Sequence, residues 1–246
     1  MKIDQVSGSV YVVTGTNVNW ALVSDGSGVT VIDAGYPADT EDVLQSVREI
    51  GHTVTDIAAV LLTHAHLDHI GAVPALVEQA GMPVYTGAEE VRHATREYLQ
   101  QISPAQMIRQ LATPRGRRWV AHTVRAIYGH IGMTVPTATH GGADVLAALP
   151  GGFVEVPSPG HTTGHTAYLM PSEQVLFTGD ALVTGHPLAE HVGPQLLPEV
   201  FNHDEAMTLA SAQRLAAQPA RVIVPGHGSP TEHDPAVPLH IHHPRH

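Results

Sequence analysis

Four metal-ligand side chains fall within six residues of this chain, in Thr63-His64-Ala65-His66-Leu67-Asp68-His69. They follow directly on the apolar run Ile57–Leu62, which has the length of a buried strand. Residues two apart do not share a helix face, so His64 and His66 converge only from an extended or looped backbone. The chain has no cysteine, so His64, His66, Asp68 and His69 offer imidazole and carboxylate without thiolate, a set suited to zinc or another divalent transition metal. A single histidine here would ordinarily be a hydrogen-bonded loop residue. Four together at a strand end read as a metal site.

The same local design recurs three times. His161 follows Val156-Pro157-Ser158-Pro159-Gly160, Asp180 follows Val175-Leu176-Phe177-Thr178-Gly179, and His227 follows Val222-Ile223-Val224-Pro225-Gly226. Each time an apolar run ends, a glycine allows a tight turn, and a ligand-type side chain comes next. Seven ligands exceed what one tetrahedral zinc needs, so two metals sharing a bridging group are expected.

The rest of the chain reads as strands in both halves with helices outside. Strand signals fall at Val10–Val13, Trp20–Ser24, Gly28–Asp33, Pro83–Tyr85, Phe153–Val156, Thr166–Met170, Val175–Thr178 and Arg221–Val224. Helical spacing marks Asp39–Ile50, Ile70–Ala80 and Asp204–Ala217, with Asn202 or His203 near the cap of the last. Residues 88–145 read as helical, broken at Pro104, Pro114, Gly129 and Gly132, and carry Arg92, Arg96, Arg109, Arg115, Arg117, Arg118 and Arg125.

Composition narrows the function classes. Across 246 residues, 43% are hydrophobic and 14% charged, which excludes a disordered chain. A formal charge of -11 argues against nucleic acid as a partner. No apolar run approaches a membrane span of about 20 residues, and MKIDQVSGSV lacks the pattern of a signal peptide, so a cytoplasmic protein is expected. His240, His242, His243 and His246, among 19 histidines, read as a frayed terminus or an adventitious metal tract.

Taken in order, His64-x-His66-x-Asp68-His69, Gly160-His161-Thr162-Thr163-Gly164-His165, Thr178-Gly179-Asp180 and Pro225-Gly226-His227-Gly228 resemble the metallo-β-lactamase-fold hydrolases. Val31-Ile32-Asp33-Ala34-Gly35 matches that family's first motif, with Ala34 where Thr or Ser is frequent. The resemblance implies an α+β fold, a four-layer αββα sandwich, over the single domain 1–246, with 88–145 as a helical cap inserted between the second and third metal motifs. It assigns His64, His66 and His161 to one metal, Asp68, His69 and His227 to a second, and Asp180 to a bridge. Asp33 would orient the ligand loop, and Asp68 would also steer the attacking water. The implied cofactors are two divalent ions, most naturally Zn2+, with Fe or Mn as alternatives. The implied reaction is hydrolysis of a small-molecule ester, thioester or lactone by a bridging hydroxide.

The branch is narrowed by particular residues. An aspartate at position 180 and the absence of cysteine turn the expectation away from β-lactam hydrolysis and toward glyoxalase II-like or lactonase-like members. Glyoxalase II carries a C-terminal glutathione-binding extension that the short stretch after His227 does not supply. A mononuclear iron persulfide dioxygenase of the same fold and a non-catalytic metal-binding module are the competing readings. The second set, Asp68, His69 and His227, favours hydrolysis. The segment 88–145 is expected to cover the site with Tyr98, Leu99, Ile102, Met107, Ile108, Leu111, Trp119, Ile127, Tyr128 and Met133, or to form a homodimer contact. Arg115, Arg117 and Arg118 read either as an anion-binding group or as a solvated face. His186 reads as a pocket or ordinary loop residue, and His165 as support for a turn.

Overall fold

The computed structural model describes residues 1–243. Two sheets pack face to face. The first has seven strands in the order β1 to β7: Lys2–Gln5, Val10–Thr14, Asn19–Ser24, Val29–Ile32, Ile57–Leu61, Val84–Tyr85 and Ala138–Thr139. The second has five, ordered β12-β11-β10-β9-β8, with β8 Val154–Pro157, β9 Thr166–Met170, β10 Val175–Gly179, β11 Val222–Pro225 and β12 Thr231–Glu232.

Alternation of side chains builds the layers. Along β3, Ala21 and Val23 face the second sheet, while Trp20 and Leu22 face outward. Along β9, Tyr168 and Met170 face inward and Ala167 and Leu169 outward. The inner faces meet through Val12, Ile32 and Leu61 against Phe153, Tyr168 and Phe177. Helices α1 (Thr40–Glu49), α2 (Leu67–Ile70) and α3 (Val73–Ala80) cover the outer face of the first sheet, with Val43, Val47 and Leu76 against Val31 and Val60. Helix α8 (Glu205–Ala216) covers the second through Ala212 and Leu215. The result is the expected αββα sandwich.

Strand direction gathers the ligand loops. β4 and β5 are parallel, so Asp33 and Thr63 emerge at one edge. β10 and β11 are parallel, and β8 and β9 are each antiparallel to the next strand. The loops after β8, β10 and β11 therefore open at one edge too. A bond from Asn19 N–H to Gly226 O (2.8 Å) ties the two sheets together there.

The segment 88–145 departs from a purely helical reading. It contains α4 (Glu90–Ala94), α5 (Pro104–Gln110), α6 (Pro114–Ala126) and the start of α7 (Ala143–Ala148), but Ala138–Thr139 adds strand β7 to the sheet. Two residues are too short to show period-2 patterning. The tail is also not frayed as far as residue 243. Leu239 and Ile241 pack on the core beneath α8, His242 N–H bonds Pro194 O at 2.9 Å, and His243 Nε2 lies 2.8 Å from Glu205 Oε1. His246 lies outside the described residues.

Candidate metal centre

Three imidazoles face one another. His64 Nε2 lies 3.0 Å from His66 Nδ1 and 3.2 Å from His161 Nε2, and His66 Nδ1 lies 3.0 Å from His161 Nε2. The far nitrogen of each ring points at an oxygen. His64 Nδ1 meets Thr63 Oγ1 at 3.1 Å, His66 Nε2 meets Gln100 O at 2.5 Å, and His161 Nδ1 meets Asn202 Oδ1 at 3.1 Å. Gln100 O can only accept. Thr63 Oγ1 spends its own proton on Asp33 Oδ2 (2.8 Å), and the Asn202 amide spends an N–H on Glu205 Oε2. Each ring proton is therefore on the far nitrogen, and three lone pairs converge. Such an arrangement is repulsive unless a cation sits among them. The spacing fits one, because a tetrahedral site with bonds of about 2.0–2.1 Å has ligand atoms about 3.3 Å apart.

A second cluster adjoins the first. Asp180 Oδ2 lies 3.1 Å from His227 Nε2, 3.5 Å from His161 Nε2 and 3.9 Å from His64 Nε2, while Oδ1 lies 3.5 Å from His69 Nε2. Asp68 Oδ2 is 3.5 Å from His227 Nε2 and 3.9 Å from His69 Nε2. His69 Nε2 and Asp180 Oδ1 are buried without a hydrogen-bond partner. Buried polar atoms are ordinarily satisfied, and two such atoms facing each other at 3.5 Å are a donor pair that fits a divalent cation. His69 Nδ1 donates to Asp33 Oδ2 (2.9 Å) and His227 Nδ1 to Asn17 O (2.5 Å), which again turns Nε2 inward.

The structure brings all seven of these residues together, with Asp33 beside them. It accepts from Thr63 N–H (2.9 Å), Thr63 Oγ1–H and His69 at once, and does so at φ +58°. His165 supports the turn: Asp180 N–H donates to its Nε2 (3.1 Å), so Nδ1–H donates to Ser158 Oγ (2.9 Å). Gly179 sits at φ +49°, and a Cβ there would come within 2.6 Å of His165 Nε2 and Thr63 Oγ1. At Gly226 a Cβ would collide with Asp180 Oδ1.

The groups that hold the ligands escape sequence reasoning. Gln100 also receives Thr163 N–H on its side chain (2.8 Å) and donates to Thr163 Oγ1 (2.7 Å), linking the loops that carry His66 and His161. Glu90 is fully buried and accepts from Ala65 N–H (2.8 Å), Thr162 Oγ1–H (2.7 Å) and His93 Nδ1 (2.6 Å). Arg96 braces the same loop, donating to Ala65 O at 3.0 Å. Gln100 and Asn17 act through main-chain carbonyls, which leave no side-chain signature.

Electrostatics divides the two clusters. Burial, reinforced by neighbouring imidazoles, pushes His64 and His161 well below the usual histidine range and His66 down to about 4. These rings are neutral, as metal ligands must be. Burial also acts against the charge on His69 and His227, but the carboxylates of Asp180, Asp33 and Asp68 outweigh it at His69, and those of Asp180 and Asp68 at His227. His69 is raised well above its ordinary value and His227 to about 10. Burial would raise the carboxyls of Asp68 and Asp180, yet the same two imidazoles hold both below the usual range.

A pH dependence follows. The raised rings carry protons near neutrality, and a divalent ion bound there must displace them. Affinity should therefore rise with pH across about 6–9, with release of up to about two protons. Titrating metal-free protein with Zn2+ in buffers of different ionisation enthalpy measures this directly. Proton uptake, or none exchanged, would contradict the balance described.

A cleft opens over the two clusters. Ile102, Trp119 and Ile127 from the segment 88–145 line it, joined by Tyr36, His186 and Phe201. Of the other residues expected there, Tyr98 stacks on His93 instead (5.3 Å), and Leu99, Ile108, Leu111 and Tyr128 are solvent-exposed. Of these four only Ile108 lies within a helix, and the others sit in the turns and loops that flank the helices. Arg117 bonds Leu111 O, and Arg115 bonds Ala189 O (3.2 Å) beside Glu190.

The residue pattern that this geometry assembles is shared. Residues 13–227 match the model of the metallo-beta-lactamase superfamily. The chain belongs to that superfamily. It is 24% identical to the probable metallo-hydrolase YflN of Bacillus subtilis over 225 residues, 85% of this chain and 78% of that one. It is 27% identical to the hydroxyacylglutathione hydrolase GloC of Haemophilus influenzae, covering 89% of both chains. Among solved structures it resembles BJP-1, a subclass B3 metallo-beta-lactamase of Bradyrhizobium japonicum, with a TM-score of 0.63 and 18% identity over 92% of this chain and 78% of that one. At that identity the likeness is one of fold. As in other superfamily members, divalent ions are the implied cofactors, and the donor atoms here fit them. Among the described residues no helix is long and apolar enough to cross a membrane.

Proposed function

We propose that the chain is a dinuclear metal-dependent hydrolase of small ester, thioester or lactone substrates. The observation that carries this is the pair of abutting clusters, with three inward imidazole lone pairs in one and the orphaned His69 Nε2 and Asp180 Oδ1 in the other. His64, His66 and His161 would hold one ion, Asp68, His69 and His227 the second, with Asp180 between them. Zinc suits these nitrogen and oxygen donors best, since it imposes no geometric preference. Two such ions supply water activated near neutral pH and polarise a carbonyl.

The chain's own groups do the rest. Asp33, Gln100, Asn202 and Asn17 fix the tautomers, so the ligand atoms need not reorganise. Asp68 borders the cleft, with its side chain 19% exposed, and is placed to accept a proton from attacking water and orient it. Trp119 and Phe201, 5.4 Å apart edge to face, exclude bulk water from the reacting carbonyl. The full second set and the likeness to the hydroxyacylglutathione hydrolase over 89% of both chains favour hydrolysis over oxygen chemistry.

Elemental analysis of protein purified without added metal, paired with ester-hydrolysis and oxygen-consumption assays, tests the proposal. Two ions per chain with hydrolysis are expected. A single iron with oxygen consumption would replace the proposal by a persulfide dioxygenase. Because the tail is packed as far as residue 243, replacing His240, His242 and His243 by Asn is a better control for adventitious metal than removing the tail.

A further inference from the structure

The walls of the cleft offer polar contacts without positive charge. Thr123 lines the cleft, with its buried Oγ1 beside the Tyr36 hydroxyl. His186 Nδ1 accepts Leu188 N–H at 3.1 Å, so the ring presents Nε2–H as a neutral donor, 5.2 Å from His227 between ring centres. The Tyr36 phenol is the third neutral group. Apolar surface from Trp119, Phe201 and Ile102 fills the space between them.

No lysine or arginine lines this cleft among the described residues. The nearby arginines are engaged or turned away. Arg96 is committed to the carbonyls of Ala65, His93 and Met133. Arg115 and Arg118 line a separate open groove on the other side of Trp119. A carboxylate buried in an apolar wall without a cation is strongly disfavoured, and its usual partner is a guanidinium or ammonium group.

Resting on the hydrolase reading above, we propose that the substrate is an uncharged carboxylic ester or lactone with a compact apolar acyl group, and that acyl chains ending in a carboxylate are rejected. Water adds to the acyl carbon, the acyl carbon–oxygen bond breaks, and the leaving alkoxide takes the proton that the water gives up. Acid and alcohol are the products, and no further reactant is needed. The acyl group lies between Trp119, Phe201 and Ile102, and Thr123, Tyr36 and His186 donate to substrate oxygens.

Butyryl and hemisuccinyl esters of the same alcohol, followed by acid release at constant pH with the metal-loaded protein, decide the matter. The two acyl chains have similar length and differ in the terminal carboxylate. The expected kcat/KM favours the butyryl ester by about 100-fold or more. Ile102 is only partly buried, so Ile102→Arg places a cation in the wall without filling the core. It should move the ratio toward the hemisuccinyl ester by about 10-fold or more. Equal or faster hydrolysis of the hemisuccinyl ester by the unaltered protein would overturn the inference and leave the hydrolase reading standing. So would an unchanged ratio in the Ile102→Arg variant, because the acyl group would then lie elsewhere. Hydrolysis of neither ester by protein carrying both ions would overturn the ester inference, and hydrolysis of neither these nor a butyryl thioester nor a small lactone would overturn the hydrolase reading as well.

Discussion

Asp68→Ala is expected to lower kcat by about 10³-fold while leaving the fold in place, since positioned proton transfer is worth about 10²–10⁴. Asp68 sits on α2, but the packing of that helix comes from Leu67 and Ile70, which are buried in the core. Its carboxylate faces His227 and His69 and the open cleft. Truncation therefore removes the proposed ligand and water-orienting group without leaving a core cavity. Kinetics on any substrate the unaltered protein hydrolyses, alongside circular dichroism and metal content, give the readout. Near-normal kcat with both ions bound would remove Asp68 from the mechanism.

Glu90→Ala should have the largest effect on stability. Glu90 is the shared acceptor of Ala65 N–H, Thr162 Oγ1–H and His93, and thereby joins the loops that carry His64 and His161. Leaving its buried donors without their acceptor costs about 1–3 kcal/mol for each, and loosening groups that orient ligands costs about 10–100-fold in metal affinity. Glu90→Gln keeps an acceptor and the volume, and should recover much of both. A pH signature accompanies this. Burial would raise the Glu90 carboxyl, but hydrogen bonds and His93 hold it below its ordinary 4.5. A carboxyl lowered on folding contributes stability that is complete above its unfolded value and is lost as pH falls through the folded one. The unaltered protein should thus lose stability below about pH 4.5 more steeply than Glu90→Gln. Unfolding midpoints for Glu90→Ala within 1 kcal/mol of the unaltered protein, or identical acid limbs, would contradict the role given to Glu90.

The sandwich is legible because its central strands are continuous apolar runs, and the ligands because each follows such a run after a turn. What escaped lies at edges and in tertiary contacts. Lys2–Gln5 pairs at the rim of the first sheet with a polar, half-exposed pattern, and Thr231–Glu232 is two residues long. The sequence offers Asn202 or His203 as the helix cap, but Asp204 takes that place by accepting Met207 N–H at 2.9 Å. Asn202 instead orients His161, 41 residues away in sequence. Tyr36, Thr123 and Phe201 meet over the two clusters from three separate stretches of chain. No local pattern announces such a meeting, because it depends on how α6 and the loop before α8 fold back over the sheet edge.

The central claim is that this edge holds two ions between the seven named side chains. Anomalous X-ray scattering from crystals of the protein purified without added metal locates them directly. The expected result is two peaks about 3.5–4 Å apart, one among His64, His66 and His161 and one among Asp68, His69 and His227, with Asp180 reaching both. A single peak confined to the first group, persisting after soaking with excess Zn2+ at neutral pH, would contradict it.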